Sequence, residues 1–317
     1  MSKIPVAISS CLLGESVRYD GTHKLNRFIR NELGQYCEFI KICPEMEIGL
    51  GVPRAIIRLV QTPSSDDLRA VQLKKEETVD VSSELSNLVS TKDLSSISGY
   101  IFKSKSPSCG INSVKIYPKE DAPAASGRGS GLFANEFKNQ YPLIPTEEDG
   151  RLNDVRLREN FVARLFAHHE WNEMTKGELK AKDLIGFHSR FKYTIMAHSI
   201  THYQLLGKIV AGATNVDVRE RAEKYFPVFM QAMEILCTKK SHGNTLFHIL
   251  GYLRDKVEGK IRQEIVTLID QYRTGMIPLI VPIQFFRHYF ENNPDKYILN
   301  QNYLHPHPDE LKLLNVL

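Results

Sequence analysis

The sequence predicts two domains of different class: an α/β domain with a Rossmann-like open sheet over residues 1–148, and an all-α domain over residues 149–317. The first half alternates short apolar or β-branched runs with turn residues. The second half carries long apolar stripes at helical spacing. The change of character falls at Thr146-Glu147-Glu148-Asp149-Gly150. A chain of 317 residues is long enough for two domains that each bury a core.

Apolar or β-branched runs at Val6-Ala7-Ile8, Phe39-Ile40-Lys41-Ile42, Ile56-Ile57-Arg58-Leu59-Val60, Tyr100-Ile101-Phe102 and Val114-Lys115-Ile116-Tyr117 are short enough to be strands. In residues 66–89, charged residues alternate with Leu68, Val71, Leu73, Val81, Leu85 and Leu88, a near-helical spacing that predicts one or two surface helices from Asp66 onward. Residues 121–130, with Ala122-Pro123-Ala124-Ala125-Ser126-Gly127-Arg128-Gly129 inside them, are a loop by composition. From Leu157 the positions Leu157, Phe161, Leu165 and Phe166 recur with helical period, and similar stripes run over 191–210, 219–236 and 246–265. Pro278, Pro282 and Pro294 are expected to break the last part, and His305-Pro306-His307-Pro308 to form an extended strap before a short helix.

A chain with 42% hydrophobic and 25% charged residues has the composition of a soluble globular protein. The apolar run at the N-terminus, Met1-Ser2-Lys3-Ile4-Pro5-Val6-Ala7-Ile8, is too short for a signal peptide. No stretch approaches the roughly 18 apolar residues of a spanning helix, so a cytoplasmic protein without membrane contact is expected. A net charge of +4 is below that of a dedicated nucleic-acid binder, which leaves nucleic acid open as a partner. Five cysteines in a long chain of this kind point to metal binding or catalysis rather than disulfides.

Three of the cysteines sit among turn-forming neighbours, each in a segment that leaves a predicted strand. They are Ser9-Ser10-Cys11-Leu12-Leu13-Gly14 with Arg18-Tyr19-Asp20-Gly21, Cys43-Pro44-Glu45 with Gly49-Leu50-Gly51-Val52-Pro53-Arg54, and Lys103-Ser104-Lys105-Ser106-Pro107-Ser108-Cys109-Gly110. Thiolates bind iron well, and loops rich in Gly, Ser and Pro can wrap a cluster and donate hydrogen bonds to its sulfurs. Lys103, Lys105, Arg18 and Arg54 are expected to favour the thiolates. Cys37 would lie roughly 20 Å from Cys43 along an extended strand, and Cys237 lies in the helical half, so both are expected to be packing residues.

On these motifs, SSCLLG with RYDG, CPE with GLGVPR, and KSKSPSCG, the chain resembles the thiouracil desulfidase family up to about residue 145. The resemblance implies a 4Fe-4S cluster held by Cys11, Cys43 and Cys109, with one iron left open for the thiocarbonyl sulfur of a thiouracil-like base. It implies a non-redox hydrolase or lyase that releases sulfide, and a thiolated pyrimidine, or a nucleotide or RNA carrying one, as the partner. Glu45, two residues after a cysteine and aimed by Pro44, is expected to be the general acid/base, and a surface or salt-bridged carboxylate is set aside. Ser104 and Ser106 are expected to act with it; Ser108, Arg18, Asp20 and Arg54 are candidates for substrate binding. An iron-sulfur sensor or regulatory protein, and a structural zinc module on the same cysteines, stand as alternatives.

The helical half resembles an uncharacterised domain found fused to desulfidase domains, through Glu148-Asp149-Gly150-Arg151-Leu152-Asn153-Asp154, Phe191-Lys192-Tyr193 and Tyr303-Leu304-His305-Pro306-His307-Pro308. His198 and His202 fall one helical turn apart and could share a metal, but without the glutamate of a metalloprotease motif or an evident third ligand they are expected to be a hydrogen-bonded or polar interhelical pair. Lys239-Lys240-Ser241-His242-Gly243-Asn244 reads as a helix start that either binds phosphate or is a solvated cap. Trp171 and the stripe Phe285-Phe286-Tyr289-Phe290 are expected in the core.

Overall fold

The computed structural model describes residues 3–62, 67–75 and 77–315. Met1, Ser2 and Asp66 of the sequence reading lie outside the described residues. The chain divides into two compact units, Met1–Asp154 and Val155–Leu317. The class of each half is as predicted, α/β followed by all-α.

The first unit holds two sheets. Strands β1 (Ile4–Ser9), β2 (Cys37–Ile42), β6 (Gly99–Phe102) and β9 (Thr146–Glu148) form a sheet of order β2-β1-β6-β9 in which every neighbouring pair is parallel. β1 lies between β2 and β6 and is almost wholly buried, as its unbroken run Ile4-Pro5-Val6-Ala7-Ile8 requires. The core beside it is aromatic: the Tyr100 and Phe102 rings stack at 3.8 Å. Phe137 of α3 (Leu132–Gln140) meets both edge-on, at 5.0 and 5.7 Å.

The second sheet has order β5-β4-β3-β7-β8, with β3 (Ile57–Gln61), β4 (Leu68–Leu73), β5 (Thr78–Asp80), β7 (Val114–Tyr117) and β8 (Gly127–Gly129). Two expectations are corrected here. The segment expected to be helical from residue 66 begins as strands: β4 pairs antiparallel with β3, Ile57 against Gln72 through Gln61 against Leu68, and with β5 on its other side. Only α2 (Ser82–Asn87) and the helical turn after it keep the helical reading. Apolar spacing over so short a stretch fits either period, and pairing with distant strands decides between them. The loop at 121–130 contains β8, whose Gly127 and Gly129 pair with Ile116 and Val114.

The second unit is helical: α4 (Val155–Thr175), α5 (Ala181–His198), α6 (Ile200–Val210), α7 (Val218–Glu234), α8 (Lys239–Leu250), α9 (Gly259–Thr274), α10 (Ile280–Asn292) and α11 (Lys296–Leu299). Trp171 is buried and stacked on Phe226 at 4.5 Å, as expected of a core residue. Phe286 and Phe290 are buried, whereas Phe285 is exposed. His198 and His202 do not share a helix. Ser199 is extended, ends α5 and caps α6 by accepting from the His202 N–H, so the histidines stand on two helices. Pro282 does not interrupt α10 but lies in its first turn, where no backbone N–H is needed. The stripe over 246–265 is likewise two helices, α8 and α9, separated by a turn at Gly251–Leu253. Among the described residues no helix is long and apolar enough to cross a membrane.

Burial pushes His168, His188 and His198 down to about 4 and His242 to about 3, because a buried imidazolium is poorly solvated. The unfolded chain protonates these groups near 6.5, so below that pH it takes up protons that the folded unit refuses. Stability is complete above about pH 6.5 and falls as pH drops toward 4, by on the order of 1–2 kcal/mol per histidine at pH 5. Glu159, pushed up to about 7 by burial, acts in the opposite sense, but it is one carboxyl against four imidazoles. Fluorescence of Trp171, the single tryptophan, should therefore report a melting temperature that declines from pH 7 to pH 5; a constant or rising value contradicts this.

Candidate functional site

β1, β2 and β6 run parallel, so their C-terminal ends share one edge of the sheet, where ligands sit in open α/β folds. Each of the three cysteines follows one of these ends: Cys11 after β1, Cys43 directly after β2, and Cys109 in the loop after β6. They line one cavity of about 500 Å³ together with Glu45, Arg54, Arg18, Ser104 and Ser106. Cys37 is the first residue of β2, at the opposite end of that strand from Cys43, and Cys237 belongs to the second unit.

Local structure fixes each thiol. Cys11 sits in a turn of 3-10 helix, Ser10–Leu13, that ends on Gly14 at φ 97°, a left-handed conformation that favours glycine. Its carbonyl accepts from the N–H groups of Gly14 and Lys24. Cys43 caps α1 (Pro44–Glu47), with its carbonyl accepting from Met46 and Glu47 N–H, and Pro44 occupies the first helical position. The Cys109 loop is held from both sides. Ser106 Oγ accepts from the N–H groups of Ser108 and Cys109, and α3 approaches so closely that the N–H groups of Leu132 and Ala134 bond the carbonyls of Pro107 and Ser108.

A largely enclosed ion pair in the cavity wall joins Glu45 to Arg54. Nε and Nη2 of Arg54 donate to Glu45 Oε2 at 2.8 and 2.6 Å, with side chains 3% and 12% exposed. The remaining Arg54 hydrogens go to the carbonyls of Gly51 and Val17 and to Met46 Sδ, which accounts for all five donors of the guanidinium. The salt-bridged carboxylate set aside from the sequence is therefore the arrangement present. Oε1 of Glu45 faces the other way and accepts from Ser108 Oγ at 3.0 Å and Ser106 Oγ at 3.4 Å.

Ser106 and Ser104 line the cavity, while Ser108 is fully buried behind it. Arg18 lines it too and donates through Nη1 to Thr22 and Asp20. Asp20 stays outside, in an exposed turn; the Thr22 hydroxyl and N–H, with Arg18, hold its carboxyl below the usual range.

Sequence reasoning missed the anchors supplied by β9 and the residue after it. Asp149 accepts from Lys103 Nζ at 2.9 Å and from the Ser104 N–H at 2.7 Å, and Glu148 accepts from the Ile111 N–H and Ser113 Oγ, both at 2.6 Å. The signal was Glu147-Glu148-Asp149 directly after an apolar segment, a run that otherwise resembles a solvated turn. Lys24 and Tyr19 also line the cavity and were not singled out.

The expected depression of the thiols is corrected as well. Burial pushes Cys11 up to about 11 and raises Cys43 and Cys109, with Lys103 only partly offsetting it at Cys11. Arg54 and Lys103 are committed to carboxylates and have little charge to spare. Among the described residues no group of three or more His, Cys, Asp or Glu could hold a single metal ion. The three thiols that line the cavity are the donor type that iron-sulfur clusters take.

Residues 6–149 match the model of the 2-thiouracil desulfurase family, and residues 192–308 match that of a family of proteins of unknown function, DUF1722. An uncharacterized protein of Escherichia coli (strain K12), YbgA, is 30% identical over 166 residues, covering 51% of this chain and 96% of that protein. The solved structure of a 4Fe-4S-dependent thiouracil desulfidase, TudS, aligns with a TM-score of 0.39 at 24% identity, covering 50% of this chain and 98% of that one.

Removing Arg54 leaves a largely buried carboxylate without its cation, so Arg54→Ala is expected to lose about 3–5 kcal/mol in urea denaturation, with Arg54→Lys in between. A loss below about 1 kcal/mol would mean the pair behaves as a solvated one. Gly131 is a second check on the site. A methyl there would meet the Ser108 carbonyl carbon at 2.5 Å and the Pro107 and Ser108 oxygens at 2.6 Å, all backbone atoms. Gly131→Ala should cost about 1–3 kcal/mol by the same measurement, and wild-type stability would mean the Cys109 loop moves aside freely.

Proposed function

We propose that this chain, which belongs to the family of the uncharacterized Escherichia coli protein YbgA, removes sulfur as sulfide from a thiolated pyrimidine base, free or within a nucleotide, on the strength of the match of residues 6–149 to the 2-thiouracil desulfurase family. Thiocarbonyl and water give carbonyl and hydrogen sulfide, with no change in electron count. In this reading residues 1–148 do the chemistry and Cys11, Cys43 and Cys109 hold a 4Fe-4S cluster. The observation that carries it is that these three thiols, from three neighbouring strand ends, line one cavity whose wall contains a partly buried, ion-paired carboxylate. The cluster, when bound, supplies a Lewis-acidic iron for the substrate's sulfur.

The chain's own residues handle orientation and protons. Arg54 and Ser108 fix the Glu45 carboxylate in one rotamer, with Oε2 occupied and Oε1 turned toward Ser106. Glu45 Oε1 takes the proton of the attacking water, directly or through the Ser106 hydroxyl, and returns it as the product forms. Ser104, whose hydroxyl accepts from Lys103 Nζ at 2.9 Å, presents its O–H to the ring of the base. Arg18 closes the rim, with Asp20 holding it in place. Arg54 has no N–H left for substrate and acts by positioning Glu45.

After anaerobic reconstitution with iron and sulfide, the wild-type chain should release sulfide from 2-thiouracil. Cys43→Ala should lose both the iron-sulfur absorbance and the activity. Glu45→Gln should keep the absorbance while kcat falls by about 10²–10⁴. Equal rates for wild type and Glu45→Gln remove Glu45 from the reaction; absorbance unaltered by Cys43→Ala removes the ligand assignment.

A further inference from the structure

The second unit contains a cavity of about 480 Å³, within the range of small-molecule sites, that the desulfurization reading does not use. Its polar lining is layered. Arg156 of α4 and Lys239, the first residue of α8, are exposed at the rim. Half-buried His198 and His242 come next, each held by its Nδ1: His198 to the Ile235 carbonyl at 2.6 Å, and His242 to the Tyr303 hydroxyl at 2.8 Å. Deeper lie buried Tyr272, Tyr303 and His307, the last with Nε2 buried and without a hydrogen-bond partner. Leu236, Leu279, Ile283, Pro306 and Leu314 supply apolar wall.

A packed core leaves few polar groups unmatched. This unit instead gathers imidazole, phenol and thiol groups around open space and places cations only at its mouth. Burial keeps His198 and His242 neutral at physiological pH, so the imidazoles offer hydrogen bonds without charge. Among the described residues the charged side chains of the lining are Arg156, Lys239 and Glu159, and one oxygen of Glu159 accepts from the Leu314 N–H. The first turn of the twelve-residue helix α8 lines the same rim through Thr238, Lys239 and His242 and adds the positive end of its dipole.

We infer that this cavity is a binding site for a small organic anion: a carboxylate or phosphate met by Lys239, Arg156 and the start of α8, carried on an aromatic body that lies against Tyr272 and Tyr303. The site is separate from the desulfurization reading and stands or falls without it, because every lining residue belongs to the second unit.

Calorimetric titration of the full chain with phenylacetate, phenyl phosphate and the neutral 2-phenylethanol tests this. At least one anion should bind saturably, one per chain, and the neutral probe about tenfold more weakly or not at all; whichever anion binds more tightly identifies the charged group. Lys239→Ala, at an exposed position, should weaken the anion about tenfold, and Ala163→Phe, which puts bulk into the cavity from α4, should abolish binding. Both variants should keep the wild-type melting curve and sulfide-release rate. No saturable binding by either anion, equal binding of the neutral probe, or binding unchanged in Ala163→Phe overturns the assignment.

Discussion

Parallel pairing around β1 is the constraint on which the first unit depends. Its register with β2, from Ile4 against Cys37 to Ser9 against Ile42, and with β6, from Val6 against Gly99 to Ile8 against Ile101, sends all three strands the same way. Parallel strands cannot be joined by a tight turn, so the chain must leave the same edge each time and return by a crossover. Because β1 lies between β2 and β6, the loops leaving it and its neighbours diverge and leave a crevice. Cys11, Cys43 and Cys109 follow those strand ends, and the cavity they line is a consequence of backbone hydrogen bonding before any side chain is considered.

Carboxylates buried wholly or in part then set the shape of that crevice. An ionised group out of water is tolerated only where donors surround it, and charge-assisted hydrogen bonds are short and directional. Glu45 ties the loop after β2 to Ser106 and Ser108 of the loop after β6, while Asp149 and Glu148 tie that same loop to the edge strand β9. Burial sets the thiols too, raising all three despite nearby cations whose charge is already matched. In the second unit, neutral histidines and tyrosines surround a cavity with a cationic mouth, an arrangement that apolar packing alone does not require.

Much of this was legible in the residues. Val6-Ala7-Ile8 and Tyr100-Ile101-Phe102 are short and fully apolar, and the helical stripes of the second half are long, so period alone separates the two classes. Leu68–Leu73 was misread because six residues can match either period and their partner strand β3 is held by non-local bonds. His198 and His202 looked like one helical face because spacing does not reveal that Ser199 takes a capping conformation.

Composition and local periodicity are properties of neighbouring residues, so the class of each half and the three cysteine motifs set among turn formers can be read along the chain. That Arg54 gives all five donors to other groups and pairs with Glu45, that Asp149 anchors Lys103, and that Asp20 stays outside the cavity emerge from the folded chain alone. Those outcomes depend on which charges meet after distant segments fold together. Coulomb and hydrogen-bond energies follow distance in space, and separation along the chain carries almost no information about it.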